Sequence, residues 1–232
     1  MKAMLKKAAA VLSSAMVLVT AVGCADKDDH DHDHNLVGSP ADGASVAEED
    51  LPYGATMTSL KSSNVEGLSL DAEFDSRYFA QEGSDYPEIY LLADYLTAVQ
   101  DSDADALEKL FYPSYLETVL KERGYASTKE YLDNYHERLV SEVNSSFKFE
   151  YLTVDACLNE NESNDLTEFR DLDTKLDSCA GETVSDKVKS RKLVYLDAAF
   201  EDEQGNFSQL NSCLGNDLEI YIYNIDGKYY LF

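Results

Sequence analysis

The chain of 232 residues has no tryptophan, only four cysteines, and 19 basic residues against 45 acidic ones. A net charge of −26 excludes nucleic acid as a natural partner and disfavours docking onto anionic lipid headgroups, while it keeps a protein soluble and attracts cations. Catalytic signatures are missing too: there is no nucleophile elbow, no glycine-rich phosphate loop, no zinc-type cysteine spacing and no paired helical histidines. What remains, 44% apolar residues, suffices for one globular domain with extensions and would crowd two large ones.

The N-terminus carries the most specific pattern. Lys2, Lys6 and Lys7 precede an apolar run from Ala8 to Val22, too short and too small-sided for a membrane span. That arrangement is a secretion signal. It closes on Ala21-Val22-Gly23-Cys24, which resembles the lipobox of bacterial lipoproteins, although the usual leucine is here Ala21. The resemblance implies cleavage before Cys24 and a diacylglycerol on its thiol. Two acyl chains hold a protein on a membrane lastingly. The expected location is therefore the extracytoplasmic face of the cell membrane.

Residues 24–50 have almost nothing apolar to bury and read as a disordered tether. Within it His30, His32 and His34 alternate with Asp31 and Asp33. Neutral imidazoles between carboxylates chelate zinc or nickel weakly, and a flexible run gives them no supporting shell. Weak metal capture and a plain solvated spacer both fit this tract, and no other cofactor is expected.

From Leu51 the composition changes. Leu68, Leu70, Ala72 and Phe74 alternate with polar residues, so a strand is expected within the 51–85 extension, running on through Arg77, Tyr78 and Phe79. Helical spacing follows: Ile89, Leu92, Leu96 and Val99 in a helix from Tyr86 to Gln100, then a short one capped by Asp103, then one around Leu116 and Val119 that Gly124 closes. Ser127 and Glu130 form a capping box for a fourth helix reaching Val143. The period then becomes two, with strands over Phe147–Cys157, Lys187–Phe200 and Asp217–Tyr223, and Asp226-Gly227 turning into a last strand over 228–232. Between the first two lies an acidic insert, 159–185, with a helical pattern in Leu166, Phe169, Leu172 and Leu176.

Short helices followed by long antiparallel strands, with Tyr95-Leu96-Thr97-Ala98-Val99-Gln100, Gly124-Tyr125-Ala126-Ser127 and Ile222 to Leu231 as matching pieces, make residues 86–232 similar to the nuclear-transport-factor-2-like superfamily. The resemblance implies an α+β cone, short helices wrapped by a strongly curved antiparallel sheet. Its members include isomerases and dehydratases as well as domains without chemistry, so fold alone does not decide function.

Three features are candidate sites. His136 falls on the apolar face of the fourth helix, as a hydrogen-bonded core residue or as a pocket base. Lys187, Lys189 and Arg191, with Lys192 beside them, form either an anion or partner patch or the solvent face of a strand. Of Cys157, Cys179 and Cys213, an oxidising exterior is expected to pair two. If the strands flanking the insert are antiparallel, the insert starts and ends at one end of the sheet, which favours Cys157 with Cys179; three thiols is the other outcome. The leading expectation is a non-catalytic cell-surface lipoprotein binding a small ligand or an envelope partner. Extracytoplasmic divalent-metal binding through the His/Asp tract and an isomerase- or dehydratase-like enzyme are the alternatives.

Overall fold

The computed structural model describes residues 57–83, 85–160 and 167–232. Two strands come first, β1 (Met57–Leu60) and β2 (Asp71–Asp75), then four helices, α1 (Pro87–Gln100), α2 (Ala104–Leu110), α3 (Pro113–Glu122) and α4 (Thr128–Val143). The long strands β3 (Phe147–Asn159) and β4 (Val188–Asp202) flank α5 (Thr167–Ala180). Short β5 (Phe207–Gln209) and α6 (Leu210–Leu214) precede the hairpin of β6 (Leu218–Ile225) and β7 (Lys228–Leu231). The strands form one seven-stranded sheet ordered β1-β2-β3-β4-β6-β7, with β5 on the end of β4. The class is α+β.

Local chemistry accounts for the helix boundaries. Pro87 opens α1 at a position whose N–H has no intrahelical partner to lose. The Asp103 carboxylate accepts from the Ala106 N–H at 3.0 Å to start α2, and Ser127 Oγ accepts from the Glu130 N–H at 3.1 Å to start α4. The Glu130 side chain reaches back to the Ala126 N–H, one residue before the cap itself. At the β6–β7 turn Asp226 and Gly227 both have positive φ, 54° and 92°, the pair of left-handed residues a type I′ hairpin needs.

The sheet is mixed where an antiparallel one is expected. β2 runs parallel to β3, Asp71 opposite Tyr151, because the chain between them is a helical crossover made of α1 to α4. The 57–85 segment is thus built into the sheet: Ala72 and Phe74 are fully buried, and Phe74 meets Phe79 and Tyr86 edge to face. Complete burial of a phenylalanine contributes about 2–3 kcal/mol. The strand expected to continue through Phe79 stops at Asp75, whose carboxylate accepts from the Arg77 N–H and turns Ser76–Tyr78 into a single 3-10 turn.

Register sorts the two faces of the sheet. Lys192, Val194 and Leu196 on β4 lie opposite Ile222, Ile220 and Leu218 on β6, and this face carries α1. Arg191 and Leu193 lie opposite Tyr223 and Tyr221 on the other face, which α5 covers. There Phe169, Leu172 and Leu176 are buried, and the Tyr221 hydroxyl donates to Glu168 at 2.6 Å. Helix α5 of the acidic insert is therefore an amphipathic cover for one side of the sheet.

Candidate functional site

Cys24 and the tract of His30, Asp31, His32, Asp33 and His34 lie outside the described residues. His136 is half-buried on α4, with Nδ1 3.2 Å from the Val99 carbonyl oxygen and its ring centroid 5.3 Å from that of Phe147. It is a hydrogen-bonded residue at the edge of the core and lines neither of the clefts described below.

The Cys157–Cys179 bridge is not formed, and no disulfide occurs among the described residues. Strand alternation supplies the reason. β3 and β4 are antiparallel as expected, but Cys157 lies opposite Val194 and so faces α1, whereas Cys179 is on α5 across the sheet. The sheet separates two side chains whose Cα atoms would have to come within about 7 Å.

The four neighbouring bases also go separate ways. Lys187 pairs with Glu182, and Arg191 with Asp173 and Glu160 on the α5 side. Lys192 points the opposite way into the core, where its side chain is 9% exposed and binds Glu88 of α1, 1% exposed. The Lys192 ammonium also sits 5.1 Å from the centre of the Phe79 ring, and the Ala80 N–H donates to Glu88 at 2.8 Å. One buried ion pair thus joins helix, sheet and N-terminal segment. Lys187 and Lys189 are exposed, as the solvent-face reading expects, whereas Arg191 and Lys192 are engaged on opposite faces of the sheet.

Among the described residues, two open surface concavities stand out. The first, of 370 Å³, is lined by Tyr195, Asn211, Gly215, Asn216, Asp217 and Glu219. Nearby Asp197 is buried and held by the N–H groups of Ala198 and Asn211, at 2.8 and 2.9 Å. Asp155, the extra residue of a bulge in β3, reaches solvent yet is crowded by protein. That crowding, with the charges of Asp217 and Asp197, pushes its carboxyl up to about 7. Burial likewise raises Asp197 against the pull of its N–H donors. Among the described residues, no group of three or more histidines, cysteines or acids is arranged to hold a metal ion, this cluster included.

The second concavity is a groove of 770 Å³ between α2, α3, the start of α4 and β7. Its floor is apolar, made by Phe111, Pro113, Leu116, Leu120 and Ala126, with Tyr230 at one wall against Tyr112, ring centres 5.4 Å apart. Charged residues form the rim: Asp105, Glu108, Lys109, Glu117 and Lys228. Phe111 bridges to Leu231, which ties the groove floor to the last strand of the sheet. A volume of this order, with an apolar base and a few polar groups, is what binding sites offer.

The sequence reading missed both concavities. One signal was present for the first: Asp197 interrupts the apolar run from Leu193 to Phe200, and an acid in such a run needs fixed donors. The groove gives no local signal, because Phe111, Leu120 and Tyr230 read simply as core. Comparisons with protein-family models, with curated proteins and with solved structures find no match to this chain.

Proposed function

We propose that the protein is a lipid-anchored binding protein of the extracytoplasmic membrane face, attached through Cys24, whose nuclear-transport-factor-2-like cone engages another envelope protein at its outer surface. The order of four short helices before long antiparallel strands supports the cone reading. The 770 Å³ groove with its apolar floor carries the binding reading. Between α1 and the sheet, by contrast, the space is taken up by Leu92, Leu96, Val194 and the Lys192–Glu88 pair.

The reading is tested in cells with a photo-crosslinking amino acid placed at Glu117 on the groove rim, at Glu219 in the acidic cleft, or at Arg170 on α5, all exposed positions. A discrete adduct with one envelope protein from position 117, absent from 170 and 219, is expected. Equal labelling from all three, or none from 117, overturns it. For the anchor, labelled fatty acid enters the wild-type chain and not Cys24→Ser; equal labelling of both refutes lipidation.

A second reading rests on the alternation of histidine and aspartate over residues 28–34. Metal capture there makes stoichiometric zinc or nickel uptake disappear when 28–34 are deleted. Uptake unchanged by the deletion removes this reading.

A further inference from the structure

The chain from Cys24 and the groove meet the sheet at opposite edges. It enters the described fold at Met57, the start of edge strand β1, while the groove lies beside β7 at the far edge. The interstrand steps between β1 and β7, at about 4.8 Å each, add up to roughly 24 Å. Followed through the register, Met57 and Phe111, the groove residue bridged to Leu231, differ in level along the strands by about three residues, or about 10 Å. A load between tether and groove therefore runs mainly across the strands. Such a load parts ladder pairs one after another, whereas a load along the strands strains them all together. On this path β2 meets β3 only from Asp71 to Glu73, while β3 and β4 run side by side from Phe147 to Asn159. The polar contacts of the hairpin loop, Lys61 and Ser62 on Asp71, are exposed and weak. Beyond the hairpin the attachment changes. Phe79 is buried beneath the Lys192 ammonium and the Ala80 N–H donates to buried Glu88, so the chain is fixed there to α1 and β4 together.

We infer that the β1–β2 hairpin is a yielding strap: under tension between the membrane anchor and a partner held at the groove it peels from β3, and the peeling stops at Phe79 and Ala80. This rests on the anchor and partner readings above and adds how the fold carries the load between them. Peeling begins at Met57 opposite Asp75, passes to Leu60 opposite Ala72, and then takes Asp71, Ala72 and Glu73 from β3 in turn. Residues 57–79 then lengthen the tether by about 70 Å. The groove is built by α2, α3, α4 and β7, none of them hydrogen-bonded to the hairpin strands, and keeps its shape while the strap is out. Without load the strap stays closed, because Ala72 and Phe74 are fully buried and Phe74 packs on Phe79 and Tyr86.

The test stretches the full chain in optical tweezers between a handle at residue 24 and one on an azide-bearing amino acid at position 117, on the exposed groove rim. Two steps are expected: a first at lower force, lengthening the chain by about 70 Å, and a second adding roughly 110 Å as residues 80–117 are drawn out. Ten glycine and serine residues inserted after Ser63, in the exposed hairpin loop, should lengthen the first step by about 35 Å and leave the second unchanged. Phe79→Ala removes the stop and should carry the first step on towards Tyr86, by about 20 Å. A single step that releases the whole segment, or an insertion that lengthens only the second step, overturns the strap. A first step unchanged in Phe79→Ala overturns the stop. Fatty-acid labelling at Cys24 succeeds or fails independently of these steps, so loss of the anchor reading and loss of the strap are told apart.

Discussion

The molecule handles charge near its core in two opposite ways. Between α1 and β4, Glu88 and Lys192 are withdrawn from water together and meet, each with a further contact, the Ala80 N–H for the acid and the Phe79 ring for the base. Beside α6, Asp155, Asp197 and Asp217 share one sign and repel, with only N–H and amide donors to offset it. A matched pair costs desolvation and recovers it in attraction, and it fixes which helix meets which strand. Burial without a countercharge, and after it the like charges of Asp217 and Asp197, let Asp155 keep its proton to a higher pH. The first arrangement specifies the fold, and the second makes its stability depend on pH.

The largest effect that would break this contrast comes from Lys192→Met. It leaves Glu88 buried without its countercharge and should cost about 3–5 kcal/mol by urea denaturation, whereas Glu88→Leu/Lys192→Met should recover most of that loss. A single variant near wild-type stability would mean the pair does not hold α1 to the sheet. The next is Asp155→Asn. A carboxyl with a folded value of about 7 and an ordinary unfolded value favours the folded state below the ordinary carboxylate range, and this advantage disappears as pH rises towards 7. The variant should therefore melt higher than wild type at pH 8, by up to about 1 kcal/mol once water screening is allowed for, and no higher at pH 4. Equal differences at both pH values would mean that the folded surroundings do not hold the Asp155 carboxyl up. The smallest concerns the groove: Lys109→Glu/Lys228→Glu should stay within about 0.5 kcal/mol of wild type, since neither ammonium supports the fold. A loss of several kcal/mol would make those lysines structural.

Periodicity carried the long elements. The apolar spacing of Ile89, Leu92, Leu96 and Val99, the caps Asp103 and Ser127, and the alternation in β3, β4 and β6 each appear in the structure within a few residues of where the pattern puts them. β1, β5 and α6 were not legible, because elements of three to five residues are too short to show a period and depend on partners supplied by the fold. Glu88 and Lys192 stand 104 residues apart, so nothing local marks either as one half of a buried pair. The cysteine pairing failed on parity: the sequence placed Cys157 at the correct end of the strand, but only the register with Val194 reveals its face. Of the groove, the cap Ser127 and the turn before Lys228 were readable, while its concavity arises from how α2, α3 and β7 meet.

The central claim is that recognition happens at the apolar groove and not at the acidic cleft. Amide hydrogen exchange of the full chain, with and without a saturating amount of the envelope protein crosslinked from position 117, separates the two directly. Slowed exchange is expected over residues 109–120 and 228–230, with 193–200 and 211–219 unchanged. Protection confined to 193–219, or spread evenly over the domain, would contradict it.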